Sequence, residues 1–490
     1  MTAVSGVGEG PVILWFRQDL RLADNPALAA AVESGRPVLP LFILDDETPG
    51  RWAWGGASRW WLHHSLAALA GDLRKRGATL VLRRGPAPTV LRNIIGDSRA
   101  GAVFWNRAYD PFAVARDTAL KTDLGVEVQS FSAALLHEPA RLRTKAGGPF
   151  KVFTPFWNTL RNGLNPPVPL RAPVKIRDAF PIAGDSLDSW KLLPAGPDWS
   201  GGLAATWTPG EAGARKRLHD FLKDGLALYR DERDQPAKPS TSRLSPHLHW
   251  GEIGPRQVWH AALDHARQSG DAPLEAAAWA FLREVGWREF SAHLLFHWPA
   301  LPEKPWRDSF TSFPWRDSAA DFAAWSRGRT GYPIVDAGMR ELWDTGWMHN
   351  RVRMVAASFL VKHLLLPWQR GEAWFWDTLV DADLANNAAS WQWVAGSGAD
   401  ASPYFRIFNP VLQGEKFDSG GAYVRRWVPE LAALPDKYLH RPWEAPADVL
   451  AVAGVVLGRD YPAPIVDHAA ARQRALAALA ATKKPSEEQG

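Results

Sequence analysis

The chain of 490 residues contains no cysteine. That excludes disulfides, thiolate metal sites and cysteine nucleophiles, and it fits a reducing compartment. Long apolar runs are missing too. The longest, Met354 to Leu366, is broken by Lys362 and His363 and is too short to cross a bilayer. The segment from Met1 to Pro11 has no basic stretch followed by an apolar one, so no signal peptide is expected. No G-x-G-x-x-G follows the first apolar segment, which excludes the ordinary dinucleotide fingerprint. Neither a repeat of fixed period nor a long basic tail is present. These absences predict a cytoplasmic protein with no membrane association.

What the chain does contain is ordinary in bulk and unusual in one residue. Hydrophobic residues make up 46% and charged residues 22%, as in a folded globular protein. The length corresponds to about three domain equivalents. A formal net charge of +5 is compatible with a polyanionic partner but is spread along the chain. Tryptophan occurs 27 times, more than a core needs. Its ring is oxidisable and suits sites where flat rings are stacked upon.

The first segment alternates strands and helices. Apolar runs at 12–16, 38–44, 79–82, 102–105 and 126–130 predict strands, and helical patterns lie between them. That alternation predicts a mostly parallel sheet flanked by helices, with ligands beyond the carboxyl ends of the strands. Residues 134–205 are rich in Pro and Gly and are expected to drape over the surface as a connector. From Gly210 the periodicity is helical, with candidate helices at 211–226, 255–268, 272–296, 335–345, 351–365 and 371–380. The expected division is an α/β domain at 10–133, a connector at 134–205, an all-helical domain at 206–482 and a polar tail at 483–490.

Four segments hold the candidate site residues. Tyr229 to Arg233 precedes Ser240 to Pro246, a cluster of hydroxyls that could cradle a phosphate or simply cap a turn. In 284–297, Glu289, His293 and His297 share a helical face and mimic a metal site. No further ligand cluster accompanies them, so a packed amphipathic helix is the better reading. Arg351 and Arg353 follow Trp347-Met348-His349-Asn350 and need anionic partners if buried, for which Asp381 and Asp383 are candidates. The segment from Trp368 to Asn409 is the most informative. Its two Asp lack the Gly, the terminal Glu and the further carboxylates of a calcium loop. Asn and Trp around them suit a flat heterocycle bonded along its edge and covered by aromatics.

Together these segments resemble the photolyase/cryptochrome family. The resemblance starts at Trp15-Phe16-Arg17-Gln18-Asp19-Leu20-Arg21 and runs to Tyr461-Pro462, nearly the whole chain. It implies an α/β antenna domain, a long linker and an all-helical FAD domain. It further implies a cofactor set of Tyr229, Thr241, Ser242, Arg243, Leu244, Ser245, Arg288, Asn350, Arg353, Asp381, Asp383 and Asn387. Within that set Arg353 and Asp381 match a salt-bridged pair near the flavin ring, and Asn387 matches the residue facing flavin N5. Glu284 matches the acid that hydrogen-bonds the damaged bases, and Trp287 and Trp393 match the rings that sandwich them. Arg233, Arg351, Met354 and Arg406 match the DNA and lesion rim. Trp391, Trp368 and Trp315 match a relay of electrons from the flavin to the surface.

The chemistry the resemblance implies is light-driven repair. Reduced FAD would donate an electron to a cyclobutane pyrimidine dimer flipped out of DNA into the pocket, and the protein would act as a monomer. The other branch of the family is the cryptochrome, a flavin photoreceptor without repair. Asn387 where plant cryptochromes carry Asp, the second ring wall Trp393 and the short tail all favour repair. The absence of His at Asn350 and Met354 favours cyclobutane dimers over (6-4) products. An antenna pigment is implied as well. Tyr109-Asp110 followed by Pro111-Phe112-Ala113 departs from one folate-binding pattern. Trp52, Trp54, Trp60 and Trp61 resemble the aromatic-rich stretch of plant-cryptochrome-like bacterial photolyases, and methenyltetrahydrofolate is expected over a deazaflavin.

Overall fold

A computed structural model of the chain describes residues 10–179, 182–400 and 405–482. The polar tail at 483–490 and Tyr404 lie outside the described residues. The chain forms two compact units. One holds the chain up to Ala227 together with Ser242–Pro299 and Val380–Leu384; the other holds Leu228–Thr241, Ala300–Leu379 and the chain from Ala385 onward.

The first unit is built on a parallel sheet of five strands in the order β3-β2-β1-β4-β5. They are β1 Val12–Phe16, β2 Val38–Leu44, β3 Val81–Arg84, β4 Ala102–Asn106 and β5 Glu127–Phe131. Every residue of β1, β2 and β4 is buried, as continuous apolar runs in a sheet covered on both faces require. Strand β3 starts two residues later than its apolar run suggests and takes in Arg83 and Arg84, which pair with Ile43 and Leu44. An edge strand tolerates such charges on its open side. Helices Pro26–Glu33, Gly56–Lys75, Ala87–Ser98 and Pro111–Asp123 connect the strands. The order of connection reverses between β1 and β4, which is where folds of this type open a crevice.

The connector is not merely draped over the surface. Phe153–Gly163 is a helix that buries Phe153, Phe156, Trp157 and Leu160, spaced 3, 1 and 3 residues apart along one face. It packs on the long helix Ala272–His297, where Gly286 leaves room for Trp157: a Cβ there would lie 2.4 Å from its ring. Further along, Val38 N donates to Arg177 O at 2.8 Å and Ala179 N to Val38 O at 3.0 Å, extending the sheet beside β2.

The metal-like face of 272–297 is explained by the same connector. Glu289 accepts from Leu136 N at 2.9 Å and His137 N at 3.3 Å. His293 Nε2 accepts from Phe150 N at 3.0 Å, and His297 Nε2 meets Pro139 O at 3.1 Å. No group of three or more His, Cys, Asp or Glu able to hold a metal occurs among the described residues. Nor is any helix among them long and apolar enough to cross a membrane.

The second unit is helical. Its main helices are Ala319–Ser326, Pro333–Thr345, Asn350–Ser358, Trp368–Thr378, Leu384–Ala395 (whose first residue belongs to the first unit), Pro410–Phe417 and His468–Ala481. The helix expected at 351–365 is α-helical only to Ser358 and continues as a π turn, Phe359–His363. A core of Phe310, Phe313, Leu365, Ala475 and Ala478 seats the C-terminal helix, with Trp315 packed against it.

Burial pushes the Glu289 carboxyl up to about 7 from its ordinary 4.5. A raised acid stabilises the fold below its unfolded value and loses that contribution as pH rises through the folded value. Denaturation of the native protein should therefore become easier between about pH 5 and pH 7, and Glu289→Gln should flatten that slope. Urea melts across this range test it; parallel losses in both proteins would refute the assignment.

Candidate flavin and lesion site

In the first unit, two expected cofactor segments are joined by a short chain of contacts. Arg243 sits in the left-handed region at φ 49°, an uncommon conformation for a side chain with a Cβ. It ends the hydroxyl-rich stretch Thr241–Ser242 and leads into the one-turn helix Ser245–His249. Ser242 Oγ accepts from Leu244 N at 3.4 Å, so part of this stretch caps its own turn. The buried Trp250 that follows donates Nε1 to Val380 O at 3.2 Å. Beside it, His249 Nδ1 lies 3.9 Å from Asp383 Oδ2. Asp381 is buried and Asp383 half-buried, with Asp383 N donating to Asp381 O at 2.7 Å. Asp110, at the carboxyl end of β4, faces Asp383. Desolvation, and then the neighbouring Asp383 charge, push its carboxyl up to about 6.

A buried carboxylate holds this arrangement. Glu252 Oε1 accepts from Trp61 Nε1 at 2.9 Å and from Gly210 N at 2.7 Å, while Oε2 bonds His247. The 245–252 segment is thereby fixed to the Gly56–Lys75 helix.

Glu284 and Trp287 lie one helical turn apart on Ala272–His297, both half-buried. Phe153 stacks on the Trp287 ring with centroids 3.6 Å apart and planes at 8°. One face of that indole is thus backed by the connector helix. Sequence reasoning missed Phe153, although its helical spacing with Phe156, Trp157 and Leu160 carries the signal. Arg288 Nη1 donates to Ala134 O at 2.8 Å, which commits part of its donor set to bracing the connector. Tyr109 is committed in the same way, its hydroxyl donating to Glu138 Oε1 at 2.9 Å.

In the second unit, Tyr229 is buried and the Arg233 guanidinium lies 5.2 Å over its ring. Arg351 takes its anionic partner from the same stretch: Nη2 is 2.8 Å from Asp234 Oδ2. This corrects the expectation that Asp381 or Asp383 would neutralise it. Asp234 directly follows Arg233, and nothing in its sequence context marks it. Arg351 also lies 4.4 Å over the Phe417 ring. Arg353 Nε donates to Met348 O at 2.7 Å. Asn350 is exposed at the start of its helix, Met354 half-buried and Arg406 exposed.

Asn387 is 7% exposed. Its Nδ2 donates to Glu372 O at 3.0 Å, which fixes the orientation of the amide. A buried amide so fixed is suited to the hydrogen-bonding edge of a flat ring. This is the observation by which the residues present fit a flavin edge.

Trp391 and Trp368 are buried at 2% and 1% exposure, while Trp315 is half-buried. Trp391 packs edge-on against Phe375 at 5.0 Å and Trp325 at 6.2 Å. Gly371 lies beneath it, where a Cβ would come within 2.1 Å of the indole. Trp315 packs on Phe313 at 4.3 Å. Trp393 is half-buried in the last turn of its helix.

Comparison with known proteins adds to this geometry. The family model described as "DNA photolyase" matches residues 12–174, and "FAD binding domain of DNA photolyase" matches 281–481. The chain is 57% identical over 479 residues to the deoxyribodipyrimidine photo-lyase of Agrobacterium fabrum, covering 97% of this chain and 98% of the relative. It is 43% identical to cryptochrome-1 of Arabidopsis thaliana, covering 96% of this chain and 70% of that protein. Among solved structures, a bacterial class III photolyase from Agrobacterium tumefaciens superposes with a TM-score of 0.94 at 56% identity, covering 99% and 100% of the two chains.

Gly371→Ala should force the Trp391 ring out of place and cost about 1–3 kcal/mol through overpacking. Thermal denaturation, with tryptophan emission as the readout, measures it. An unchanged midpoint would mean that the ring is not held as described.

Proposed function

The chain belongs to the DNA photolyase family, and from that membership we propose that it is a light-dependent deoxyribodipyrimidine lyase that splits cyclobutane pyrimidine dimers in DNA. The observation that carries this reading is the pairing on one helix of Glu284 with Trp287. The first is an acid able to hydrogen-bond damaged bases; the second is an indole already backed on one face by Phe153. A photoreceptor that binds no lesion has no use for a pre-stacked wall beside an acid.

FAD supplies the light-driven electron donation. The chain's own residues bind and orient. Asn387, its amide fixed by Glu372 O, would face the edge of the flavin ring. Thr241 to Ser245 and Tyr229 would hold the ribityl and diphosphate groups, and Arg288, Asn350, Arg353, Asp381 and Asp383 would supply further contacts. Trp287 and Trp393 stack the flipped dimer, Met354 lines its rim, and Arg233, Arg351 and Arg406 meet the DNA backbone. Trp391, Trp368 and Trp315 would form the relay that links the bound cofactor to the surface. The division of labour follows the chain: an antenna domain at 10–133, a connector at 134–205 and the flavin domain at 206–482. The protein works as a monomer in the cytoplasm, and methenyltetrahydrofolate is its antenna pigment. The aromatic cluster of Trp54 stacked on Phe42 at 6.4 Å and tilted on Trp250 at 5.2 Å supports a flat pigment in the first unit. Acid release of a fluorescent pterin from the purified protein tests the pigment.

The repair reading is tested by illuminating the reduced holoprotein with a thymine-dimer oligonucleotide. Dimer should be lost in blue light and not in the dark. Glu284→Gln should lower the yield per bound dimer with little change in flavin content. Light-driven flavin chemistry without dimer loss would establish instead the cryptochrome reading, to which the 43% identity with a plant cryptochrome points.

A further inference from the structure

Lys362 interrupts the longest apolar run of the sequence, and it is 3% exposed. It lies in the π turn Phe359–His363, where one extra residue in the helical ladder redirects the side chains that follow. Its Nζ donates to Arg406 O and stands 4.5 Å over the Phe405 ring. Ser358, which precedes the turn and is fully buried, accepts on Oγ from Phe408 N at 3.4 Å. Two tethers, two residues apart, therefore hold the 405–408 segment onto this turn. No carboxylate bonds Lys362 among the described residues. Burial, and secondarily the Arg406 charge, push the amine down to about 7. A methionine in that run would pack without this penalty. What the lysine adds is a fixed carbonyl on Arg406, whose own guanidinium is exposed.

We propose that Lys362 is a positioning residue for DNA: by holding the Arg406 carbonyl from inside the fold, it fixes the point from which the Arg406 guanidinium meets the phosphate backbone. The inference rests on the reading of Arg406 as a DNA contact. Flexible arginines on untethered segments lose rotamer and backbone freedom when they bind phosphate. A segment already fixed at two points has lost the backbone part in advance.

The test uses the full chain with its FAD. Dissociation constants for a thymine-dimer oligonucleotide are measured in the dark at several salt concentrations, for the native protein, Lys362→Met, Arg406→Ala and the double variant. Arg406→Ala should weaken binding about tenfold and reduce the salt slope by about one, as loss of a phosphate contact does. Lys362→Met should weaken binding about three- to tenfold, with the flavin spectrum and the repair yield per bound dimer unchanged. Added to Arg406→Ala it should weaken binding no further. Lys362→Gln, which keeps a donor for the carbonyl, should recover part of the affinity. An unchanged constant for Lys362→Met, or additive losses in the double variant, would make the lysine a packing residue and overturn the inference. If Lys362→Met does not yield folded holoprotein, Ser358→Ala loosens the second tether and must show the same non-additivity with Arg406→Ala; additivity there overturns it equally. Should Arg406→Ala bind like the native protein, the DNA reading of Arg406 falls and takes this inference with it. A loss for Arg406→Ala with none for Lys362→Met fails the inference alone.

Discussion

The buried Glu289 carboxylate is the constraint on which the part of the first unit around Glu284 and Trp287 depends. Its two backbone donors, Leu136 N and His137 N, belong to a connector that would otherwise have no fixed course. With His293 and His297 it binds that connector over one face of the Ala272–His297 helix. The same attachment brings Phe153–Gly163 against the helix, and Phe153 against Trp287. Glu284 and Trp287 occupy a different side of the helix from Glu289, roughly 140° and 160° around its axis at about 100° per residue. One helix thus carries a face that satisfies backbone groups and a face that presents Glu284 and Trp287, and the second is only as rigid as the first makes it.

The second unit solves the same problem at shorter range. Asn387 is oriented by the carbonyl of Glu372, and Trp391 is seated over Gly371, on the same helix Trp368–Thr378. The amide that would meet a flavin edge and the ring that would pass it electrons are thus referenced to one rigid element. Positional errors common to both cancel between them. Arg351 is tied to Asp234, so a predicted rim residue is fixed by a neighbour of another predicted rim residue, Arg233.

The sheet was legible in the sequence because both its faces are covered: β1, β2 and β4 are unbroken apolar runs and could be little else. Strand β3 was displaced by two residues because an edge strand admits arginines that an apolar-run criterion rejects. The connector helix was hidden by the Pro and Gly on either side, although its own eleven residues carry a clear helical stripe. Glu289, His293 and His297 resembled ligands because the lone pairs that bind a metal also bind a backbone N–H, and sequence alone does not distinguish the two. The identity of the candidate site residues came from long ordered motifs. The contacts that orient them did not, since Asp234, Phe153 and Glu372 meet their partners only in the folded chain and carry no motif of their own.

A common device emerges from the groups that are buried with a potential charge. Glu252, Glu289 and Asp336 all bond backbone N–H groups of remote or turn segments: Gly210, Leu136 with His137, and Thr330 with Gly331. Lys362 does the converse and bonds a backbone carbonyl. An apolar residue at any of these positions would avoid the desolvation cost, so stability alone does not account for them. What an apolar contact cannot supply is direction. Dispersion attraction tolerates a sliding or rotated loop, whereas a carboxylate between two N–H groups accepts only one placement. The cost of burying these four groups is repaid as the fixed course of segments that have no regular structure to place them.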